Sequence, residues 1–399
     1  KYEYTIYIRS SETQIKLFNH MITVELNPSN SSCSFNSLFT LFQTFILIGL
    51  HPGALSIRDT RQANNLADDF DMMINPETTV ATAEELSIDY IPIVDNETSK
   101  VINVIKNVKN PCTKWYRNYF DEERDMLNIN LSGKLFVLNS IIEETLKNHQ
   151  KIVVFSQSLA CLDLISHYLT NAIMCPPNKY EKSWILYKHF YRIDGSTNLS
   201  HRSNYISLFN NRKNTSASIM LISTRAGGLG INLKGASHIV LMDCSWNPSC
   251  DVQSMFRVYR IGQDKTVYVY RLISEGVLEE RIYNRQIMKL ALSCRVVDKK
   301  QIERVFTHYE LSDLFKVSPT PLQSTKSNNL NNNDSSKYPG LVEVIRNCYP
   351  KHIVKYIEHN SLLVDNPDQQ LTEQEQDQAM NEYLNETTEC PQKNCSLFQ

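Results

Sequence analysis

The residues with the clearest chemical potential lie in the run Gln253-Ser-Met-Phe-Arg257-Val-Tyr-Arg260-Ile-Gly262-Gln263. Arg257 and Arg260 are three apart, which on a helix gives two guanidiniums a common face. A converging pair of permanent cations can stabilise the charge of a transferring phosphoryl group. The same spacing suits a surface pair bonded to acidic neighbours. A second candidate is Gly227-Gly228-Leu229-Gly230, where missing Cβ atoms would let the backbone approach a phosphate closely. It has neither the G-x-G-x-x-G spacing of a dinucleotide fold nor the G-x-x-x-x-G-K-[ST] phosphate loop. Ser132-Gly133-Lys134 matches the end of that loop, but no glycine stands five positions before Gly133. Asp121-Glu122-Glu123-Arg124 has the charge of an acidic metal box without the apolar strand that should precede one, so it reads as a solvated helix face. Asp243 ends an apolar run and fits either a ribose contact or a capping or loop role.

These residues need a scaffold, and the apolar pattern supplies one. Alternation at Tyr2, Tyr4, Ile6 and Ile8 predicts a strand, and Ile15, Phe18, Met21 and Ile22 share one face of a helix. Leu38 to Leu50 reads as a buried helix stopped by His51-Pro52-Gly53. Residues 56–110 lose periodicity and read as an insertion that is in part disordered. From Trp115 order returns. Short apolar strands (151–155, 191–193, 218–222, 238–242, 267–272) alternate with amphipathic helices (135–146, 159–169, 200–209). That alternation predicts a doubly wound α/β fold, a parallel sheet with helices on both faces. Ligands of such sheets lie at the carboxyl ends of the strands. Asp194-Gly195-Ser196-Thr197 and the glycine-rich turn fall there. Residues 318–338 form a low-complexity linker. Helices are expected near 340–358 and 371–385, the second opened by a capping box at Thr372 and Glu375.

The chain has 399 residues, with 41 Lys plus Arg against 43 Asp plus Glu, a formal net charge of −2. Taken whole, that balance argues against a simple basic nucleic-acid module. The charge is segregated, however. From Leu131 to Glu310 there are 23 basic and 14 acidic residues, net +9, leaving 18 basic and 29 acidic elsewhere, net −11. A basic surface favours salt-sensitive, sequence-independent contact with phosphates. The longest apolar run is too short for a membrane span. The ten cysteines form no C-x-x-C pair and read as reduced thiols. The histidines are scattered, and no metal ligand set emerges.

The ordered series Val153-Val-Phe-Ser-Gln-Ser158, Tyr191-Arg-Ile-Asp-Gly-Ser-Thr197, Leu221-Ile-Ser-Thr-Arg-Ala-Gly-Gly-Leu-Gly-Ile-Asn-Leu233, Trp246-Asn-Pro248 and Gln253 to Gln263 resembles the second, recombinase-like lobe of Swi/Snf-type DNA-dependent ATPases. The match covers roughly residues 111–315. Ser293-Cys-Arg-Val-Val-Asp298, Glu310-Leu-Ser-Asp-Leu314 and His352-Ile-Val-Lys-Tyr356 are similar to the ATRX-like branch of that family. The resemblance implies that Arg257 and Arg260 are arginine fingers reaching ATP held with Mg²⁺ on a first lobe. It implies that Gly228, Gly230, Asp243 and Gln253 face nucleotide. Ser156, Gln157, Gly195, Ser196, Thr197, Thr224, Arg225 and Asn232 would hold one DNA strand by its backbone, without reading bases. Glu280 to Lys289 would be a helix bracing the two lobes.

By the same resemblance, residues 1–55 form a lead-in strand and helices, 111–317 the helicase C-terminal lobe, 339–386 a helical appendage and 387–399 a disordered tail. The partners implied are double-stranded DNA, nucleosomes and a first lobe of the same polypeptide; the location implied is the nucleus, with no membrane. That first lobe's phosphate loop and Asp-Glu-x-His box have no counterpart here, and position 1 is Lys. The chain is therefore expected to be part of a longer protein and, alone, not to hydrolyse ATP. The alternative is a catalytically inactive DNA-binding or interaction module.

Overall fold

The structure is a computed structural model that describes residues 1–25, 35–63, 115–177, 181–227, 230–295, 317–318, 344 and 347–359. In chain order the elements are β1 (Tyr2–Ile8), α1 (Glu12–Glu25), α2 (Phe35–Leu50), α3 (Gly53–Ala63), α4 (Glu122–Asp125), α5 (Gly133–Lys147), β2 (Ile152–Ser156), α6 (Leu159–Thr170), β3 (Phe190–Ile193), α7 (Leu199–Asn210), β4 (Ile219–Ser223), α8 (Thr224–Gly227), β5 (His238–Leu241), α9 (Pro248–Met255), β6 (Tyr268–Ser274), α10 (Leu278–Arg295) and β7 (Ile353–His359). The strands form one sheet in the order β3-β4-β2-β5-β6-β1-β7. Every pairing is parallel except that of β7 with β1.

The period-two pattern of the strands explains why both faces are covered. Ile152 and Val154 of β2, Ile219 and Leu221 of β4 and Val240 of β5 point into one core with Leu138, Ile142, Leu162 and Ile165 of α5 and α6. Their neighbours Val153, Phe155, Met220, Ile222, Ile239 and Leu241 point the other way, onto Phe209 and Met255. A strand buried on both sides must be apolar at every position, as these runs are. Phe155 and Tyr191 are core residues, 1% and 3% exposed. Trp246 wedges between helices, edge-on to Phe42 at 5.9 Å with the Lys289 ammonium 5.8 Å from its ring.

Two sequence expectations need correction. Helical order continues through α3 to Ala63, past the point where the apolar pattern fades. Residues 353–359 are a strand instead of part of a helix near 340–358, because the open edge of β1 supplies them with a hydrogen-bonded partner. The helix expected at 371–385 and most of the 56–110 insertion lie outside the described residues. Cys161, Cys175, Cys244, Cys250 and Cys348 make no disulfide. No described helix is long and apolar enough to cross a membrane.

Candidate functional site

The candidate residues separate onto two edges of the sheet. At the carboxyl edge, β2 ends in Ser156 and β5 leads into Asp243, since the register pairs Phe155 with Leu241. Asp243 is 3% exposed and accepts from Ser156 Oγ at 2.5 Å and from the Gln157 backbone N–H at 3.0 Å. Gln157 Nε2 donates to it as well, at 3.3 Å. Burial lifts the Asp243 carboxyl to about 6, against these hydrogen bonds and the Lys134 charge, which pull it down. Ser156 is 0% exposed and spends its hydroxyl on Asp243. Ser156 and Asp243 thus act as inner struts that shape the turn carrying the half-buried Gln157.

Next along that edge, β3 ends in Asp194, which organises the Gly195–Thr197 turn. Its Oδ1 accepts from Ser196 N–H at 3.1 Å and Ser196 Oγ at 2.6 Å, and its own N–H donates to Thr197 Oγ1 at 3.0 Å. Arg192 Nε donates to Oδ2 at 2.9 Å. Burial alone would raise this carboxyl, but the Ser196 bonds and the Arg192 charge outweigh it and hold it below the usual range. Gly195 and Ser196 stand exposed in front of α7, whose first turn is capped by Asn198. On the neighbouring strand, Thr224 and Arg225 open α8, with Arg225 exposed. Gly230 takes φ +66°, where a side chain would be strained even with open space around it. Gly228 lies outside the described residues.

The arginines occupy the opposite, amino edge. Here the helix expectation fails, because α9 stops at Met255 and Arg257 and Arg260 lie on the tight turns beyond it. Val258 is wholly buried between them, and Gly262 turns the chain with φ +88°. The turn is bolted to the loop leading into β5. Leu233 N–H donates to the Arg257 carbonyl at 2.9 Å. Gln263 Nε2 donates to the carbonyls of Ala236 at 2.8 Å, Lys234 at 3.2 Å and Val258 at 3.2 Å. Burial lowers the Arg257 pKa, and the like charge of Arg260 lowers it further, so the two cations converge without helical spacing. Arg260 and Gln253 are exposed. Asn232 lies near this edge: its carbonyl accepts from Asn210 Nδ2 at 2.8 Å, at the far end of α7.

Two buried ionic links that sequence spacing did not reveal hold these parts together. Lys134, of the Ser-Gly-Lys run, is 1% exposed and donates to Glu279 at 2.7 Å and to the Met242 carbonyl at 2.7 Å. It joins α5, α10 and the end of β5, and offers nothing to a phosphate. Arg271 of β6 donates to Asp251 of α9 at 2.6 Å, and Gln286 of α10 donates to the same carboxylate at 3.1 Å. Asp251 thereby fixes the helix that carries the arginine turn. Only their types, buried charges in apolar runs, could have signalled these pairs. Among the described residues no three His, Cys, Asp or Glu side chains gather as a metal site. Asp121 caps α4 through bonds to the backbone N–H groups of Glu123 and Arg124.

Comparison with known proteins bears on residues in both groups. The helicase conserved C-terminal domain matches residues 133–262. Transcriptional regulator ATRX of Mus musculus is 40% identical over 288 residues, covering 69% of this chain and 12% of that protein. The ATRX homolog of Drosophila melanogaster is 32% identical over 412 residues, covering 91% and 31%. Protein CHROMATIN REMODELING 20 of Arabidopsis thaliana is 31% identical over 371 residues, covering 87% and 24%. The chain thus spans less than a third of each of these relatives. A Sulfolobus solfataricus SWI2/SNF2 ATPase core domain aligns at a TM-score of 0.48 and 21% identity, over 80% of this chain and 49% of that one. Residues 133–262 are a helicase conserved C-terminal domain, and the homologues of the chain are ATRX and related Snf2-family remodellers.

Proposed function

We propose that this chain is the second motor lobe of a DNA-dependent ATPase that remodels chromatin. The amino edge supplies arginine fingers and the carboxyl edge grips DNA. The observation that carries this reading is the split itself. Arg257 and Arg260 sit on a turn pinned by Leu233 and Gln263, while the exposed Gly195 and Ser196 and the half-buried Thr197 and Thr224 line the other edge. A strand of five residues separates the edges by about 15 Å. One rigid sheet could then hold a phosphoryl group and a DNA backbone at once.

The fit to nucleotide is partial. ATP bound on a first lobe supplies the phosphoryl group. From this chain Arg257 and Arg260 would meet its negative charge, held in place beforehand so that little reorganisation is needed. The phosphate-cradling lysine and the Mg²⁺ ligands are assigned to the first lobe, since Lys134 is buried on Glu279. Isolated, this chain is then inactive. Gln157, Gly195, Ser196, Thr197, Thr224 and Arg225 would touch one strand of double-stranded DNA through phosphates, aided by the +9 charge of residues 131–310. Nucleosomes as substrate and the nucleus as location are inferred from the names of the relatives.

In a protein that joins this chain to its first lobe, Arg260→Ala should abolish DNA-stimulated ATP turnover while changing DNA affinity by less than about threefold, roughly 0.6 kcal/mol. Normal turnover by the variant would refute the arginine-finger assignment.

A further inference from the structure

The Gly195–Thr197 turn hangs from the outermost strand of the sheet. Among the described strands β3 pairs with β4 alone, so the sheet fixes the end of β3 from one side only. Side chains supply the remaining constraint, and it leads away from the turn through four charged residues. The two carboxylate oxygens of Asp194 have separate tasks. Oδ1 holds the turn through the Ser196 backbone N–H and hydroxyl, while Oδ2 accepts from Arg192 Nε at 2.9 Å. Arg192 also reaches the other way, its Nη1 donating to Oδ1 of Asp163 in α6. The second oxygen of Asp163 accepts from Arg61 Nη1 of α3 at 2.6 Å. An unbroken series of charges, Arg61–Asp163–Arg192–Asp194, thus runs from α3 to the turn.

This series is built to transmit position. Its four side chains are between 10% and 24% exposed, so salt screens them less than it would a surface pair. Burial alone would lower the Arg192 pKa, but the charges of Asp163 and Asp194 outweigh it and raise it. A guanidinium is planar and rigid, so fixing Nη1 on Asp163 fixes the direction in which Nε points. At its other end α3 is anchored in turn, Arg58 Nη1 donating to Thr44 Oγ1 of α2 at 2.9 Å. From α7, Arg202 Nη2 donates to the carbonyls of Asp194 at 3.1 Å and Thr197 at 3.4 Å. Arg202 therefore holds the backbone of the turn, and Arg192 sets the angle of the carboxylate that organises it.

We propose that Asp163 is a positioning residue for the Gly195–Thr197 turn: it aims Arg192 at Asp194 and makes the geometry of the turn depend on α3. The aiming rests on these contacts alone; its consequence for DNA rests on the reading that this turn touches a DNA backbone. The test compares Asp163→Asn, which keeps the shape and gives up the charge that two guanidiniums share, with Asp163→Glu, which keeps the charge. Hydrogen–deuterium exchange of the full chain without DNA should show the Ser196 and Thr197 amides exchanging several-fold faster in Asp163→Asn, with β2 and β5 unchanged. Asp163→Glu should restore most of that protection. Arg61→Gln, one contact further from the turn, should act in the same direction but less, and it carries the test should Asp163→Asn fail to fold. Unchanged exchange in the turn would overturn the proposal, and no effect of Arg61→Gln would overturn the link to α3. Faster exchange through β2 and β5 as well would make Asp163 a general stabiliser and overturn it too. In the protein that joins this chain to its first lobe, Asp163→Asn should raise the DNA concentration for half-maximal ATP turnover about tenfold, the scale of one hydrogen bond to a charged group. Turnover at saturating DNA should stay the same, and Asp163→Glu should bring the DNA requirement back. If the turn loosens and the DNA requirement does not move, Asp163 still positions the turn and the DNA-gripping reading of that turn fails.

Discussion

Substituting Lys134 by Met tests whether the buried charge beneath the carboxyl edge is structural. The lysine is 1% exposed, and its ammonium donates to Glu279 Oε1 and to the Met242 carbonyl, each at 2.7 Å. Glu279, 4% exposed, uses its other oxygen to accept from Ser274 N–H at 2.9 Å. Lys134→Met keeps the aliphatic stem and removes the charge. Glu279 then keeps one hydrogen bond and no cation, and the Met242 carbonyl loses its side-chain donor. Breaking a buried pair from one side costs roughly 3–5 kcal/mol, because the remaining charge stays buried without compensation. At about 1.4 kcal/mol per decade, this is a hundredfold to several-thousandfold loss in the folding equilibrium.

The second substitution locates the cost. In Lys134→Met/Glu279→Gln the glutamine carbonyl still accepts from Ser274, and no net charge is left inside. The double variant should recover about 2 kcal/mol, so that the two changes are strongly non-additive. The assay is urea unfolding of the full chain at pH 7.5, followed by tryptophan fluorescence, on wild type and both variants. A single variant losing under about 1 kcal/mol would mean the pair behaves like one at the surface. A double variant no better than the single would show that the loss came from packing. Either result sinks the electrostatic account.

Acid should destabilise the fold before any bulk unfolding by net charge. Burial holds His51, His238 and His352 near 4, well below the ordinary histidine value of 6.5. The unfolded chain therefore takes up protons first as pH falls below 6.5, and stability is lost between there and about 4. At pH 5 each histidine should cost roughly 2 kcal/mol. Asp243, raised to about 6, has the opposite sign: its folded form binds a proton first and returns about 1 kcal/mol. A net loss of about 5 kcal/mol between pH 7.5 and 5.0, read from urea midpoints, is expected; equal or greater stability at pH 5.0 would contradict it. Gly133→Ala tests close packing. A Cβ there would meet Ile8 Cγ2 at 2.6 Å and the Arg9 carbonyl at 2.8 Å, so β1 and α5 must separate at a cost of about 1–3 kcal/mol. A thermal midpoint unchanged from wild type would show that this junction yields freely.

The sheet could be read from sequence because each central strand obeys a rule of period two with both phases apolar. Ile152 and Val154 serve one core and Val153 and Phe155 the other, so the run identifies itself. β7 could not be read this way. Ile353, Val354, Tyr356 and Ile357 fit a helical stripe as well as a strand. What decides between them is the unpaired edge of β1, which no local pattern contains. The arginines were visible by type, but their helix was not real: burying Val258 and turning at Gly262 end α9 before it reaches them. Ser156 and Asp243 are 87 positions apart, and only the β2–β5 register brings their side chains to 2.5 Å. Hydroxyls at strand ends suggest phosphate contacts, yet a buried carboxylate nearby has first claim on them, since an unsatisfied buried charge costs more than a lost surface contact gains.

Burial of charge also explains why a nearly neutral chain can present strongly basic surfaces. The net charge of −2 is a sum over residues, whereas a phosphate responds to charges within about a Debye length, roughly 10 Å at 0.1 M salt. Several acids of the basic region are already committed inside it: Asp243 to Ser156 and Gln157, Asp251 to Arg271, and Glu279 to Lys134. Their charges are met by buried donors, and they do little to offset Arg225 or Arg260 at the surface. The acids that balance the total lie mostly outside residues 131–310, so the sum over the chain understates the positive charge that a phosphate meets on this lobe.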